Sequence, residues 1–219
     1  FYNVFYFPRR WKDIYKRYIS GDSASPEELE AFGRRYKKLI AQSLIEYNRK
    51  QFISKFPPNT GSIRHLLDMF PQAKFVYIYR NPVLVFQSTV NFFETTHEAL
   101  MLQPFSSAEF EEMVFELYEM IIKDYERLKS LIPADHLVEI RYEDFEADPL
   151  IGLRNIYERL ELDGFEQSIP AFTDYFYSQK KFEKASHQFT PEEIERITSR
   201  WRFAMEMYGY AMPEQMSTK

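Results

Sequence analysis

The chain's 219 residues suffice for one sizeable α/β domain spanning 1–219, and nothing in their composition demands a second. The absence of cysteine excludes disulfides, thiolate metal sites and a cysteine nucleophile, and a formal charge of −5 argues against broad nucleic-acid binding, so that any anion site must be local. No apolar run approaches the roughly 20 residues of a membrane span and no signal-peptide pattern opens the chain, which makes a soluble, cytoplasmic segment the expectation.

Phe1 to Trp11 begins in mid-pattern, with no Met and no polar leader, and reads as a chain already under way. Ser25-Pro26-Glu27-Glu28 combines a capping residue, Pro at the first helical position and acids in the first turn; Leu29, Phe32, Tyr36, Leu39, Ile40 and Tyr47 continue a helical stripe. Phe52-Ile53-Ser54 is expected as a short strand ending in Lys55 and stopped by Pro57-Pro58. Asn59-Thr60-Gly61 then turns into a helix over Ser62 to Phe70. A Lys at such a strand end is ordinarily solvated.

Phe75-Val76-Tyr77-Ile78-Tyr79 is aromatic and β-branched without polar interruption, which predicts a strand buried on both faces of a parallel sheet. Arg80 closes it, Asn81 caps the next helix and Pro82 opens that helix. Ligands of open α/β sheets bind beyond the carboxyl ends of the strands, and a helix amino terminus attracts anions. Arg80 adds a fork of donors suited to phosphate, and Ser88, seven residues after Asn81, returns to the cap's side of the helix. Spacing alone leaves open that Arg80 is a surface ion-pair residue and Ser88 merely solvated.

Further along, helices are predicted from Pro82 to about His97 and from about Ala108 to Leu131, the latter with Phe110, Val114, Leu117 and Ile121 on one face. His136 to Ile140 reads as a strand, and strand and helix in alternation predict parallel pairing. Arg141-Tyr142-Glu143-Asp144 follows it, and its carboxylates are suited to capping the next helix. Asp148-Pro149 opens a helix to Leu160, Ser178 to Lys184 is a basic loop, and Thr190-Pro191-Glu192-Glu193 starts a final helix ending at Gly209.

Taken together, Lys55-x-Pro-Pro-Asn-Thr-Gly-x-Ile, the later Arg80-Asn81-Pro82 with Ser88, and Tyr142-Glu143-Asp144 resemble the sulfotransferases that use 3′-phosphoadenosine 5′-phosphosulfate (PAPS). The resemblance runs from about Phe5 to Tyr210. It implies an α/β, P-loop-like fold with a parallel sheet flanked by helices, and transfer of a sulfuryl group from PAPS to a hydroxyl, rather than an amine, of a small-molecule, lipid or glycan acceptor. It also implies that Arg80 and Ser88 hold the 3′-phosphate, that Lys55 reaches the sulfonate and bridging oxygen, and that Tyr142 lies near the adenine. Lys180, Lys181 and Lys184 would sit in the loop that closes over the nucleotide.

Two departures stand out. The family's first strand and its Gly-containing 5′-phosphosulfate loop have no counterpart among the six glycines, so that amino-terminal part is expected to lie outside this sequence, and the apolar strip Phe1 to Phe7 to be covered by it or by self-association into a homo-oligomer. Where some relatives place a general-base His two residues after the Lys, Pro57 stands, and the base is unassigned. Sulfuryl transfer then needs a base for the acceptor proton, a cation for the leaving phosphate and exclusion of water, with no metal. The competing readings are a P-loop kinase, which needs a Walker Lys and a Mg²⁺ ligand, and a nucleotide-binding fragment without activity.

Overall fold

The computed structural model describes residues 3–49, 51–179 and 189–211. In chain order the helices are α1 (Asn3–Tyr6), α2 (Trp11–Tyr18), α3 (Pro26–Glu46), α4 (Ile63–Met69), α5 (Pro82–Leu100) and α6 (Ser107–Leu128), followed by α7 (Tyr142–Ala147), α8 (Pro149–Arg159), α9 (Phe165–Gln179), α10 (Pro191–Arg200) and α11 (Arg202–Met207). Strand β1 (Phe75–Tyr79) precedes α5 and β2 (Leu137–Arg141) precedes α7. The chain divides into two compact units, one running to Ala73 and including Phe92–Ile132, the other made of Lys74–Asn91 and the chain from Pro133 onward. No described helix is long and apolar enough to cross a membrane.

Local chemistry accounts for the helix starts. Ser25 and Glu28 form a reciprocal capping box at α3, Ser106 and Glu109 another at α6, and Thr190 and Glu193 a third at α10. Each satisfies amide donors that the first helical turn leaves unpaired, a device whose capping residue alone contributes about 1 kcal/mol. The final helix, expected to be continuous to Gly209, is broken at Trp201, whose ψ of 24° ends α10 before α11 begins. Gly209 turns out of α11 at a φ of +67°, a conformation that glycine adopts without steric cost.

In the first unit α1, α2, α4 and α6 share a core. Tyr15 on α2 is fully buried and donates to Asp124 Oδ2 on α6 at 2.7 Å. His97 at the end of α5 is also fully buried, with Nδ1 2.7 Å from the Phe93 carbonyl and Nε2 3.1 Å from the Val4 carbonyl. Phe5 packs on Phe93 and His97 at centroid distances of 5.9 and 5.3 Å. Of the apolar strip Phe1 to Phe7, expected to need cover from preceding residues or a second copy, the described part forms a helical turn whose Val4 and Phe5 are buried, while Tyr6 and Phe7 remain exposed.

The second unit holds the parallel pair β1–β2, in register Phe75↔Leu137 through Tyr79↔Arg141. Paired residues of parallel strands share a face. On one face Val138 and Ile140 are buried beneath Ile156 and Leu160 at α8 and its end. Their partners Val76 and Ile78 are 43% and 48% exposed, so β1 is not buried on both faces as its composition predicts. The cover of α8 ends over β2. On the other face the Tyr79 and Tyr208 rings stack at 4.7 Å, and elsewhere in the unit Phe86 of α5 meets the fully buried Trp201 edge-on at 5.5 Å.

The strand expected at Phe52 to Ser54 does not form: residues 51–56 have no regular structure, and Ile53 is 84% exposed. β-Branched and aromatic side chains favour extended backbone, but a strand exists only where a neighbour pairs with it.

Candidate functional site

Arg80 leaves the end of β1 with its guanidinium stacked on the Tyr142 ring, 4.4 Å from the centroid. Tyr142 opens α7 directly after β2, so parallel pairing of the strands brings the two residues to one end of the sheet. The Nε of Arg80 is buried and has no hydrogen-bond partner among the described residues. An unpaired buried donor costs about 1–3 kcal/mol, more when charged, and an anionic ligand would remove that cost. Ser88 lies exposed on α5, two turns beyond Asn81.

The amides that open α5 are less free than the sequence implies. Asn81 Oδ1 accepts the Val83 N–H at 2.9 Å, and the Asn81 N–H donates to Glu143 Oε1 at 3.3 Å. Pro82 has no N–H to offer. At this turn the Arg80 guanidinium, rather than these two amides, is the group with donor capacity to spare for an anion.

Glu143 is the hub beneath this turn. Its Oε2 accepts from the Tyr210 hydroxyl at 2.7 Å and from Arg141 Nε at 3.3 Å. Arg141 in turn stacks on the Tyr210 ring, 4.5 Å from its centroid. Burial pushes the Glu143 carboxyl upward, but donation from Tyr210, its own N–H and the Asn81 N–H, with the charge of Arg141, outweighs it and holds the group below the usual carboxylate range. Burial and the Glu143 carboxylate push the Tyr210 phenol up. Glu143 is therefore an ionised acceptor and Tyr210 a fixed donor near neutrality.

Lys55 belongs to the first unit, exposed in the segment before the 3₁₀ turn Pro57–Gly61. Asn59 Nδ2 donates to Ser54 Oγ at 3.1 Å and ties the two sides of Lys55 together. The turn is anchored from α2: Ser62 Oγ donates to the Ile19 carbonyl at 2.9 Å, and Gly61 lies so close to Tyr15 that an added Cβ would be 2.5 Å from its hydroxyl oxygen. Lys180, Lys181 and Lys184 lie outside the described residues. Among the described residues no cluster of His, Asp or Glu side chains could hold a metal ion.

Residues 9–167, and with them Lys55, Arg80, Ser88 and Tyr142, match the model of the Sulfotransferase family. The chain belongs to the sulfotransferase family. Two curated relatives, both named omega-hydroxy-beta-dihydromenaquinone-9 sulfotransferase Stf3, come from Mycobacterium bovis (strain ATCC BAA-935 / AF2122/97) and Mycobacterium tuberculosis (strain CDC 1551 / Oshkosh). Each is 29% identical over 204 residues, which cover 93% of this chain and 52% of the relative. This sulfotransferase chain thus spans about half the length of the curated relatives it matches. No solved structure matches it significantly.

The mostly helical α/β architecture with a small parallel sheet agrees with the fold expected of a sulfotransferase. Of the residues the sequence singles out, the structure joins Arg80 to Tyr142 directly. Reasoning from sequence missed Arg141, Glu143 and Tyr210. Glu143 stands inside the Tyr-Glu-Asp phrase but reads there as a helix cap, and Tyr210 lies 67 positions away, where no local pattern links it to a strand end.

Proposed function

We propose that this chain is the larger part of a single sulfotransferase domain that binds PAPS and moves its sulfuryl group to a hydroxyl acceptor in the cytoplasm. The reading rests above all on Arg80, a guanidinium held on Tyr142 at the carboxyl end of a parallel strand, with a buried Nε that has no partner among the described residues, in a chain of this family. Arg80 and Ser88 hold the 3′-phosphate, Tyr142 lies by the adenine, and Lys180, Lys181 and Lys184 close over the nucleotide. In the transfer, the acceptor oxygen forms a bond to sulfur as the bond from sulfur to the bridging oxygen breaks. The acceptor proton passes to a base, and the electron pair of the broken bond stays on the leaving 5′-phosphate, giving adenosine 3′,5′-bisphosphate. Lys55 places its ammonium against that developing charge.

The acceptor we favour is the hydroxyl of an apolar lipid, because the two curated relatives are named for a hydroxylated menaquinone. Calorimetry with adenosine 3′,5′-bisphosphate, against ADP with Mg²⁺, separates this reading from a kinase. Preference for the bisphosphate is expected, and preference for ADP with Mg²⁺ would overturn it. A turnover assay of the protein with the amino-terminal 5′-phosphosulfate loop included, offering a long-chain isoprenoid alcohol and a sugar, then tests the acceptor class, with sulfation of the alcohol expected. Sulfation of the sugar alone would refute the lipid assignment.

A further inference from the structure

The Arg80-Asn81 turn is held from two directions by consecutive residues of one segment. Tyr142 carries the Arg80 guanidinium on its ring at 4.4 Å, and Glu143 receives the Asn81 N–H through Oε1 at 3.3 Å. Because the Asn81 N–H belongs to the peptide that Arg80 contributes its carbonyl to, fixing it orients the backbone from which the Arg80 side chain departs. Glu143 is itself immobilised: its other oxygen receives Tyr210 and Arg141, and Arg141 is sandwiched against the Tyr210 ring. Tyr210 is buried, and its ring meets Tyr79 of β1 edge-on at 6.5 Å. A carboxylate so close to an anion-reading arginine would repel a phosphate if it stood alone. Here Arg141 neutralises it, and among the described residues no acidic side chain is paired with Arg80, so its charge faces the turn uncompensated there.

We propose that Glu143, braced by Tyr210, is the positioning residue of the 3′-phosphate site, setting the direction of Arg80 without touching the nucleotide. The proposal rests on the assignment of Arg80 to the 3′-phosphate. It makes Tyr210, just after α11, a support of the binding site that acts through Glu143 alone.

The test measures the affinity of the chain for adenosine 3′,5′-bisphosphate and for adenosine 5′-phosphate, in the unaltered protein and in Arg80→Ala, Glu143→Gln, Tyr210→Phe and the last two combined. Thermal melts are recorded beside each. Glu143→Gln keeps an acceptor for Asn81 but loses the charge, and Tyr210→Phe keeps the ring under Arg141 but loses the donor. The bisphosphate is expected to bind about tenfold more weakly to Glu143→Gln and about threefold more weakly to Tyr210→Phe, as removal of charged and neutral hydrogen bonds would give. Adenosine 5′-phosphate should bind nearly as before, and the combined variant should lose no more than Glu143→Gln alone. A merely structural role would weaken both nucleotides in step with the melting temperature, and that result would overturn the proposal. So would unchanged bisphosphate affinity in Tyr210→Phe, the variant that settles the question if Glu143→Gln does not fold. Arg80→Ala separates the two levels. If it loses bisphosphate selectivity while the Glu143 and Tyr210 variants keep it, the brace is wrong and the site stands. If it keeps selectivity, the site assignment falls and the brace with it.

Discussion

The Tyr15 hydroxyl donates to Asp124 at 2.7 Å, joining α2 to α6 across 109 positions of chain. Asp124 is also paired with Arg127 at 2.6 Å, so its charge stays compensated if Tyr15 is lost. Tyr15→Phe should therefore cost about 1.5–3 kcal/mol, the range for a hydrogen bond to a charged group, read as a lowered urea midpoint. Burial first, then donation to Asp124, pushes the Tyr15 phenol above its ordinary value of 10.0. That raised value supplies stability present in full below pH 10.0 and lost as pH rises past it toward the folded-state value, because the unfolded phenol ionises first. Tyr15→Phe should flatten this alkaline fall, measured as urea midpoints on either side of the ordinary phenol value.

Gly61 provides a second, coupled test. A Cβ there would lie 2.5 Å from the Tyr15 hydroxyl oxygen and 2.9 Å from Ile19 Cγ2. Gly61→Ala should destabilise by about 1–3 kcal/mol through overpacking, and by less when introduced together with Tyr15→Phe, where the nearer obstacle is gone. Equal costs in the two backgrounds would mean that the turn after Lys55 does not rest on Tyr15.

Arg80→Ala should weaken binding of adenosine 3′,5′-bisphosphate by roughly 2–4 kcal/mol in a calorimetric titration, the scale of a desolvated charge-assisted contact. Adenosine 5′-phosphate should be little affected. Equal loss for both ligands would show that Arg80 reads a different group.

Lys55 is expected to act on turnover. Its charge matters most when the leaving phosphate becomes an anion, so in a protein that carries the amino-terminal 5′-phosphosulfate loop as well, Lys55→Ala should lower kcat by about a hundredfold or more while changing KM for the donor far less. Lys55→Arg should rescue only partly, because a guanidinium is wider and holds its donors in a plane. A pure KM effect in steady-state kinetics would reduce Lys55 to a binding residue.

What could be read from the sequence divides along a physical line. The helix start at Ser25-Pro26-Glu27-Glu28 was legible because a capping box is decided within four residues, and β1 and β2 because short apolar runs ending at a cation and a Tyr leave little choice of state. Phe52 to Ser54 has the same local preference as those strands but lacks a partner among the described residues, and a single sequence does not record which runs find one. The exposure of Val76 and Ile78 was hidden for a related reason: it depends on how far α8 reaches across the sheet. Of the proposed site, Arg80 could be picked out by its place at a strand end and Tyr142 through the family resemblance, whereas Glu143 and Tyr210 gain their roles from each other across a long stretch of chain.

The unit that holds Arg80 is discontinuous in sequence, with Lys74–Asn91 in one segment and the chain from Pro133 in the other. During synthesis, Arg80 leaves the ribosome well before Tyr142 exists to stack on it, and longer still before Tyr210 can reach Glu143. Asn81 and Glu143 are 62 positions apart, and closing so long a loop costs entropy before any contact rewards it. The β1 edge that β2 will cover therefore stays open while α5 and α6 are being made, and it is exposed to mispairing throughout that interval. Nucleotide binding by the growing chain would then arrive after Tyr142 has docked on Arg80 and tighten modestly once Tyr210 reaches Glu143.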